Sequence, residues 1–471
     1  MSFVLAHAAP ISYRHPLPVW LALLAGGLAV VLATVVKLRE RRSVDVYPFV
    51  RRLRLGPIVT VVGSVLIAIA FAGGLLGNGI EWTQFYENPM TVLTWIDFWV
   101  GLGIVSALVG NVWDFVSPLS TLGRALDRRL AARGASVLPY PPRLGVWPAV
   151  ALLLLWTWLE LVWDPAKEPR TLVLLALAYF VAQLAAMALF GTEVWLARGE
   201  LFTVFARTLA RFAPLELYVG APAGPCRASR CRDDERIGCP ACWLEAEPVQ
   251  RGLRVRAYGS GVEREPPLGA GGGTFVLAAL ATVVYDGFSQ TDLFAADVQG
   301  FFLERSSWLG LHIDVLDTIL LVGIVACFAL LFYAVAAIVS LREPGSAGDA
   351  ARRYAPTLIP ISAVYFVSHY FLYLVYTGQL TLAVILDPLE REWVPDYAIW
   401  TGLPGALVWY LQVGLIVWGH VVAVFAAHKV VAADRDRGPL DALIAQLPLV
   451  LLMVAYTFVG LWVLGQALTP R

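Results

Sequence analysis

This chain has too many uncharged stretches of about twenty residues to fold as a soluble globule. Each is long enough to cross roughly 30 Å of hydrocarbon as a helix. Backbone groups in lipid must find partners within the protein, so such runs are either helices or the strands of a closed barrel. Barrel strands alternate with period two, and these runs do not. Of the 471 residues, 59% are hydrophobic and 15% charged, against about 25% charged in a soluble domain. The fold class read from the sequence is therefore all-α, a polytopic transmembrane helix bundle.

Apolar windows place ten spans at about 18–36, 57–76, 90–113, 144–163, 171–190, 273–288, 314–340, 356–377, 403–428 and 442–468. Loops rich in Lys and Arg stay on the inner side of a membrane. With the N-terminus outside, the inner loops 37–54, 114–143, 191–272, 341–355 and 429–441 hold 29 of the 35 Lys and Arg residues. A wrong helix count would scramble this alternation, so both termini are expected outside and the longest polar loop in the cytoplasm, with the chain in an inner or plasma membrane. Residues 1–9 lack a basic region and are too short for a complete signal peptide, so the first helix is expected to insert unaided. The chain divides into a five-helix half (1–214), a cytoplasmic insert (215–272) and a second five-helix half (273–471). Formal net charge is zero, so no polyanionic partner such as nucleic acid is implied, and the spans make the lipid bilayer the expected partner. Glycine-rich and aromatic helix faces also suit docking of partner membrane subunits.

Trp82, Trp113, Trp163, Trp195, Trp308 and Trp400 fall near span ends, as an interfacial aromatic belt requires. Two amphipathic stretches, 111–130 and 192–214, read as helices lying along the membrane surface or as loops packed on the bundle.

The insert holds four of the five cysteines, spaced Cys226-x4-Cys231-x7-Cys239-x2-Cys242. Four nearby thiolates suit a tetrahedral structural zinc. An iron–sulfur cluster or free redox thiols are alternatives, and a disulfide fits poorly with a reducing cytoplasm. Cys327, inside a span, reads as a small buried apolar residue.

Ionisable groups inside a span are costly and face the bundle interior or a cavity. Asp97, Glu160, Asp286 and Asp317 fall in the outer half, where together they would form an electronegative vestibule for a cation or proton path. The alternative is span ends that reach headgroup water. In the eighth span Tyr365, His369, Tyr373 and Tyr376 follow at steps of four, four and three, which puts them on one helix face. The ninth span offers Gln412 and His420. Two histidines on adjacent helices suggest haem or metal ligation, but their depths differ by roughly 13 Å at 1.5 Å per residue. Interhelical hydrogen bonding is the alternative.

No P-loop, CxxCH, HExxH or GxSxG element occurs in the sequence, so neither ATP-driven pumping nor covalent haem attachment nor the common hydrolase chemistries are indicated. Four stretches, NPMTVLTWIDFWVGLGIVSALVGNVWDFVSPL, GTEVWLARGELFTVFARTLARFAPL, YDGFSQTDLF and GHVVAVFAAHKVV, resemble a group of poorly characterised multi-pass bacterial membrane proteins often labelled fenitrothion hydrolase. With the spacing of spans, the resemblance covers most of the chain, and the Cys-rich insert departs from the group's usual loop. It implies organophosphate-ester cleavage and brings no catalytic residue with it. Phosphotriester hydrolysis needs a metal-activated water and several close ligands, whereas the histidines here are scattered. The residues themselves suggest a transporter or an ion- or proton-conducting permease. The alternatives are a membrane subunit of a redox or metal-handling complex, and an anchor that recruits partners through the insert.

Overall fold

A computed structural model describes residues 44–47, 55–76, 88–134, 136–220, 236–265, 268–291, 293–305, 312–343, 345–389, 391, 400–432 and 439–467. The first expected span lies outside these residues, as do Trp82 and Trp308. Among the described residues, eight helices are long and apolar enough to cross a membrane; they coincide with the third to tenth expected spans. The second expected span is helical over Leu55–Leu76.

In chain order the main helices are α1 (Leu55–Leu76), α2 (Pro89–Leu108), α3 (Pro118–Ala132), α4 (Trp147–Leu161), α5 (Pro169–Phe190), α6 (Thr192–Arg198) and α7 (Leu201–Ala210). After the insert come α8 (Pro240–Glu245), α9 (Gly272–Ser289), α10 (Ile313–Ser340), α11 (Ile359–Thr377), α12 (Leu380–Leu386), α13 (Gly405–Ala432) and α14 (Pro439–Ala467). The start of α2 shows why the helices begin where they do. Asn88 accepts a hydrogen bond from the Met90 amide at 2.9 Å, and Pro89 occupies the first turn, where a missing N–H costs nothing.

Two helices form the centre. Most residues of α9 and α11 are buried against neighbouring helices, while α5 and α10 keep most of their apolar surface outward. A soluble protein cannot expose the outward faces of α5 and α10; hydrocarbon can accept them. Small residues let the central helices approach closely. A Cβ on Gly419 of α13 would lie 2.9 Å from the Pro360 carbonyl oxygen of α11, and one on Gly460 of α14 would meet the Tyr365 ring at 2.8 Å.

The all-α expectation fails in the insert. A four-stranded antiparallel sheet of order β1-β4-β2-β3 is built from β1 (Val44–Asp45), β2 (Leu215–Val219), β3 (Arg236–Ile237) and β4 (Arg251–Val255). Strand β2 pairs with β4 from Leu215↔Val255 to Val219↔Arg251, and β1 joins at Val44↔Val255. The alternation in LELYV was a readable strand signal. The sheet is fastened to the bundle at one end, called here the insert end. Phe212, Tyr258 and Trp418 pack ring to ring, and Lys429 of α13 pairs with Glu263 at 3.0 Å.

The stretch 192–214 is no surface helix. It breaks at Gly199–Glu200 into α6 and α7, and every residue of α7 is buried. Trp195 is likewise buried, its indole donating to Gln183 at 2.7 Å, which removes it from the expected aromatic belt. By contrast, α3 does keep an outward face, burying only Leu119, Ser120 and Gly123. Cys327 is exposed on the outer side of α10, where a thiol meets lipid at little cost, and not buried as expected.

Candidate functional site

The central pair of helices carries the site. α4 and α9 start together at the insert end, where the Val146 amide donates to the Ala270 carbonyl at 2.8 Å. Both then rise in the same direction. Glu160 stands thirteen residues into α4 and Asp286 fourteen into α9, so each is about 20 Å from the start at 1.5 Å per residue. The two carboxyls are therefore level, near the end of the bundle remote from the insert, and close enough for each charge to act on the other.

Asp286 is 1% exposed and well served. One carboxylate oxygen meets His369 Nε2 at 2.9 Å and accepts from the Tyr370 hydroxyl at 2.8 Å; the other accepts from Gln290 Nε2 at 2.9 Å. His369 and Tyr370 are consecutive on α11, about 100° apart on a 3.6-residue helix, so they straddle the carboxylate. Gly287 makes room for this: a Cβ there would lie 2.6 Å from Val463 Cγ1 and 3.2 Å from His369 Cε1. The Tyr365 ring stacks on His369 one turn away, with centroids 6.4 Å apart.

Glu160 differs. It is 2% exposed, and among the described residues neither carboxylate oxygen completes a hydrogen bond. The Trp99 indole lies close enough to favour the carboxylate, but its N–H also closes no hydrogen bond. The Lys167 ammonium and the Tyr370 phenol are near enough to interact with its charge.

The remaining expected residues separate from this cluster. Asp97 is half-buried in a nine-residue π-helical stretch of α2, Val92–Val100, a geometry enriched at functional sites. There the Thr381 hydroxyl of α12 lies 2.8 and 2.7 Å from its two oxygens. Asp317, half-buried, accepts from Gln299 at 2.7 Å, while its carbonyl accepts from Tyr285 at 3.2 Å. The four acids thus form no common vestibule: two are buried together, and Asp97 and Asp317 bond elsewhere. Tyr365 and Tyr376 donate to the carbonyls of Gly460 and Thr401, each at 3.5 Å, and Tyr373 lies on the same helix face. Gln412 and Ser368 exchange hydrogen bonds at 2.9 and 3.3 Å, fixing α13 against α11. That register puts His420 two turns, about 12 Å, nearer the insert end than His369. Its Nδ1 meets the Ile416 carbonyl at 2.8 Å, and the two imidazoles cannot share one haem iron or metal ion.

Cys239 and Cys242 are buried where α8 begins, and Arg236 donates to Cys242 Sγ at 3.5 Å. Cys226 and Cys231 lie outside the described residues. Among the described residues no three His, Cys, Asp or Glu side chains are grouped to hold a metal.

Between the bundle and the sheet lies a second polar layer. Arg207 of α7 makes two 2.7 Å hydrogen bonds to Asp114. Burial opposes its charge, but the Asp114 carboxylate outweighs burial and raises the guanidinium above its ordinary range. Glu216 receives Arg254 and Arg256, and Glu265 receives Arg211 and Arg256. Arg256 also caps the Ala210 carbonyl at 3.1 Å, near the electronegative end of α7. Glu200 caps the other end of α7, accepting from the Phe202 and Thr203 amides at 3.1 and 2.7 Å.

Sequence reasoning missed Tyr370, Trp99, Gln290 and Lys167. Tyr370 falls off the helix stripe that drew attention to His369, and the other three are recognisable only once α2, α4 and α9 are assembled. No family model, curated protein or solved structure matches the chain.

Proposed function

We propose that this protein is a proton-conducting membrane permease whose working site is Glu160, Asp286 and His369. The observation that carries the reading is the charge count of the cluster. Two carboxylates and one imidazole, buried together, reach neutrality by taking up protons or by drawing the Lys167 ammonium away from Asp164. Even a charged imidazole against Asp286 would leave the charge of Glu160 unbalanced while Lys167 stays paired with Asp164. An isolated ionised carboxylate in a low-dielectric interior is expensive, so a proton bound at Glu160 restores balance and its release recreates the imbalance. Buried pairs of this kind are where proton-transfer chemistry is found. Asp286 then acts as the fixed anion, held by three donors, and His369 as the group that passes a proton to or from it. Tyr370 links the two acids electrostatically: its hydroxyl donates to Asp286 and lies near enough to Glu160 to feel its charge.

The test uses purified protein in liposomes with a trapped pH-sensitive dye and an imposed potassium diffusion potential. Wild type is expected to carry protons along the potential, and Glu160→Gln and Asp286→Asn to abolish the flux. No flux in wild type, or wild-type flux in either variant, would contradict the reading.

A further inference from the structure

Glu160 has a neighbour whose position the proton site alone does not explain. Lys167 is one of only three lysines in the chain. Its side chain is 5% exposed, and its ammonium pairs with Asp164 at 2.6 Å. Both partners sit on a single 3-10 turn, Asp164–Lys167, three residues beyond the end of α4. Asp164 is half exposed, at 50%, and is hydrated whether or not Lys167 is bound. Glu160 is sealed and, among the described residues, closes no hydrogen bond. The buried ammonium therefore has two carboxylates within electrostatic reach, and its present partner is the one that needs it less. The other described groups that act on Glu160 are Asp286 from α9, Tyr370 from α11 and the Trp99 indole from α2; none of these three is a cation, and Lys167 is.

We infer that the Lys167 ammonium is the displaceable countercharge of Glu160, exchanging between Asp164 and Glu160 as a proton leaves and returns. This rests on the proton-site reading and adds a mechanism to it. The exchange balances: protonated Glu160 with the Lys167–Asp164 pair becomes the Lys167–Glu160 pair, a hydrated Asp164 carboxylate and one released proton. The ammonium keeps all its protons. Release at the buried carboxyl is thereby tied to opening of an ion pair at the surface, so the turn Asp164–Lys167 would open only when the site discharges.

The experiment is labelling of the full-length protein in liposomes by dicyclohexylcarbodiimide, an apolar reagent that modifies protonated carboxyls in membranes, with Glu160 modification read by mass spectrometry. Removing the countercharge with Lys167→Met leaves Glu160 nothing to discharge against, so labelling is expected to rise several-fold. Asp164→Asn frees Lys167 for Glu160, so labelling is expected to fall several-fold. Lys167→Arg is expected to stay near wild type. Opposite signs from the two halves of one ion pair are the signature, because a merely structural bridge would respond alike to loss of either partner. Labelling at Glu160 that moves in the same direction in both variants, or in neither, would overturn the exchange alone. Absence of labelling at Glu160 in all four proteins would overturn the exchange and the proton site together.

Discussion

Two buried polar regions of this molecule are built on opposite rules. At the insert end, among the described residues, the buried carboxylates meet arginines: Asp114 with Arg207, Glu216 with Arg254 and Arg256, Glu265 with Arg211 and Arg256. At the remote end, Glu160 and Asp286 lie level, Asp286 bonds His369 and Tyr370 of α11, and Glu160 closes no hydrogen bond among the described residues. A compensated layer joins two parts of a fold and has no reason to exchange charge. An uncompensated pair is stable only with an added positive charge, which makes it suited to binding and releasing one.

The contrast breaks first on stability. Asp114→Ala strands a buried guanidinium and should cost about 3–5 kcal/mol, seen as a large fall in the thermal unfolding midpoint in detergent. Glu160→Gln should change stability by less than about 1 kcal/mol, because it removes a group with no partner to lose. If Glu160→Gln were as damaging as Asp114→Ala, the two regions would not differ in kind.

Asp286→Asn comes next. It keeps the shape but weakens what His369 and Tyr370 bond to, and should cost about 1–3 kcal/mol together with the proton flux. Gly287→Ala crowds Val463 and the His369 ring and should cost a similar 1–3 kcal/mol, lowering flux without touching a titratable group. Flux retained in Gly287→Ala with a displaced His369 would show that the imidazole is not part of the path. The smallest effect is Ser368→Ala, which removes one hydroxyl of the Gln412 exchange. It should cost about 0.6 kcal/mol and leave flux unchanged, separating helix packing from the site.

The apolar runs made the bundle legible, because a bilayer demands about twenty such residues per crossing and the chain supplies them plainly. Asp286 and His369 were legible as ionisable residues that a span would not hold without reason. Their pairing was not, since no local pattern links α9 to α11. Glu160 looked like a helix end near headgroup water, and only the packing of α2, α9 and α11 around it shows that it is sealed. The short sheet escaped because β1 comes from a loop about 170 residues before the insert that supplies the other three strands, and α7 looked amphipathic because the partner that buries Arg207, Asp114, lies 93 residues earlier in the chain.

The most direct test of the charge argument is the infrared difference spectrum of the protein in lipid on stepping the pH downward. Wild type should gain the C=O stretch of a buried protonated carboxyl, absent from Glu160→Gln and preserved in Asp97→Asn. A wild-type spectrum without that band, or the same band in Glu160→Gln, would contradict the account.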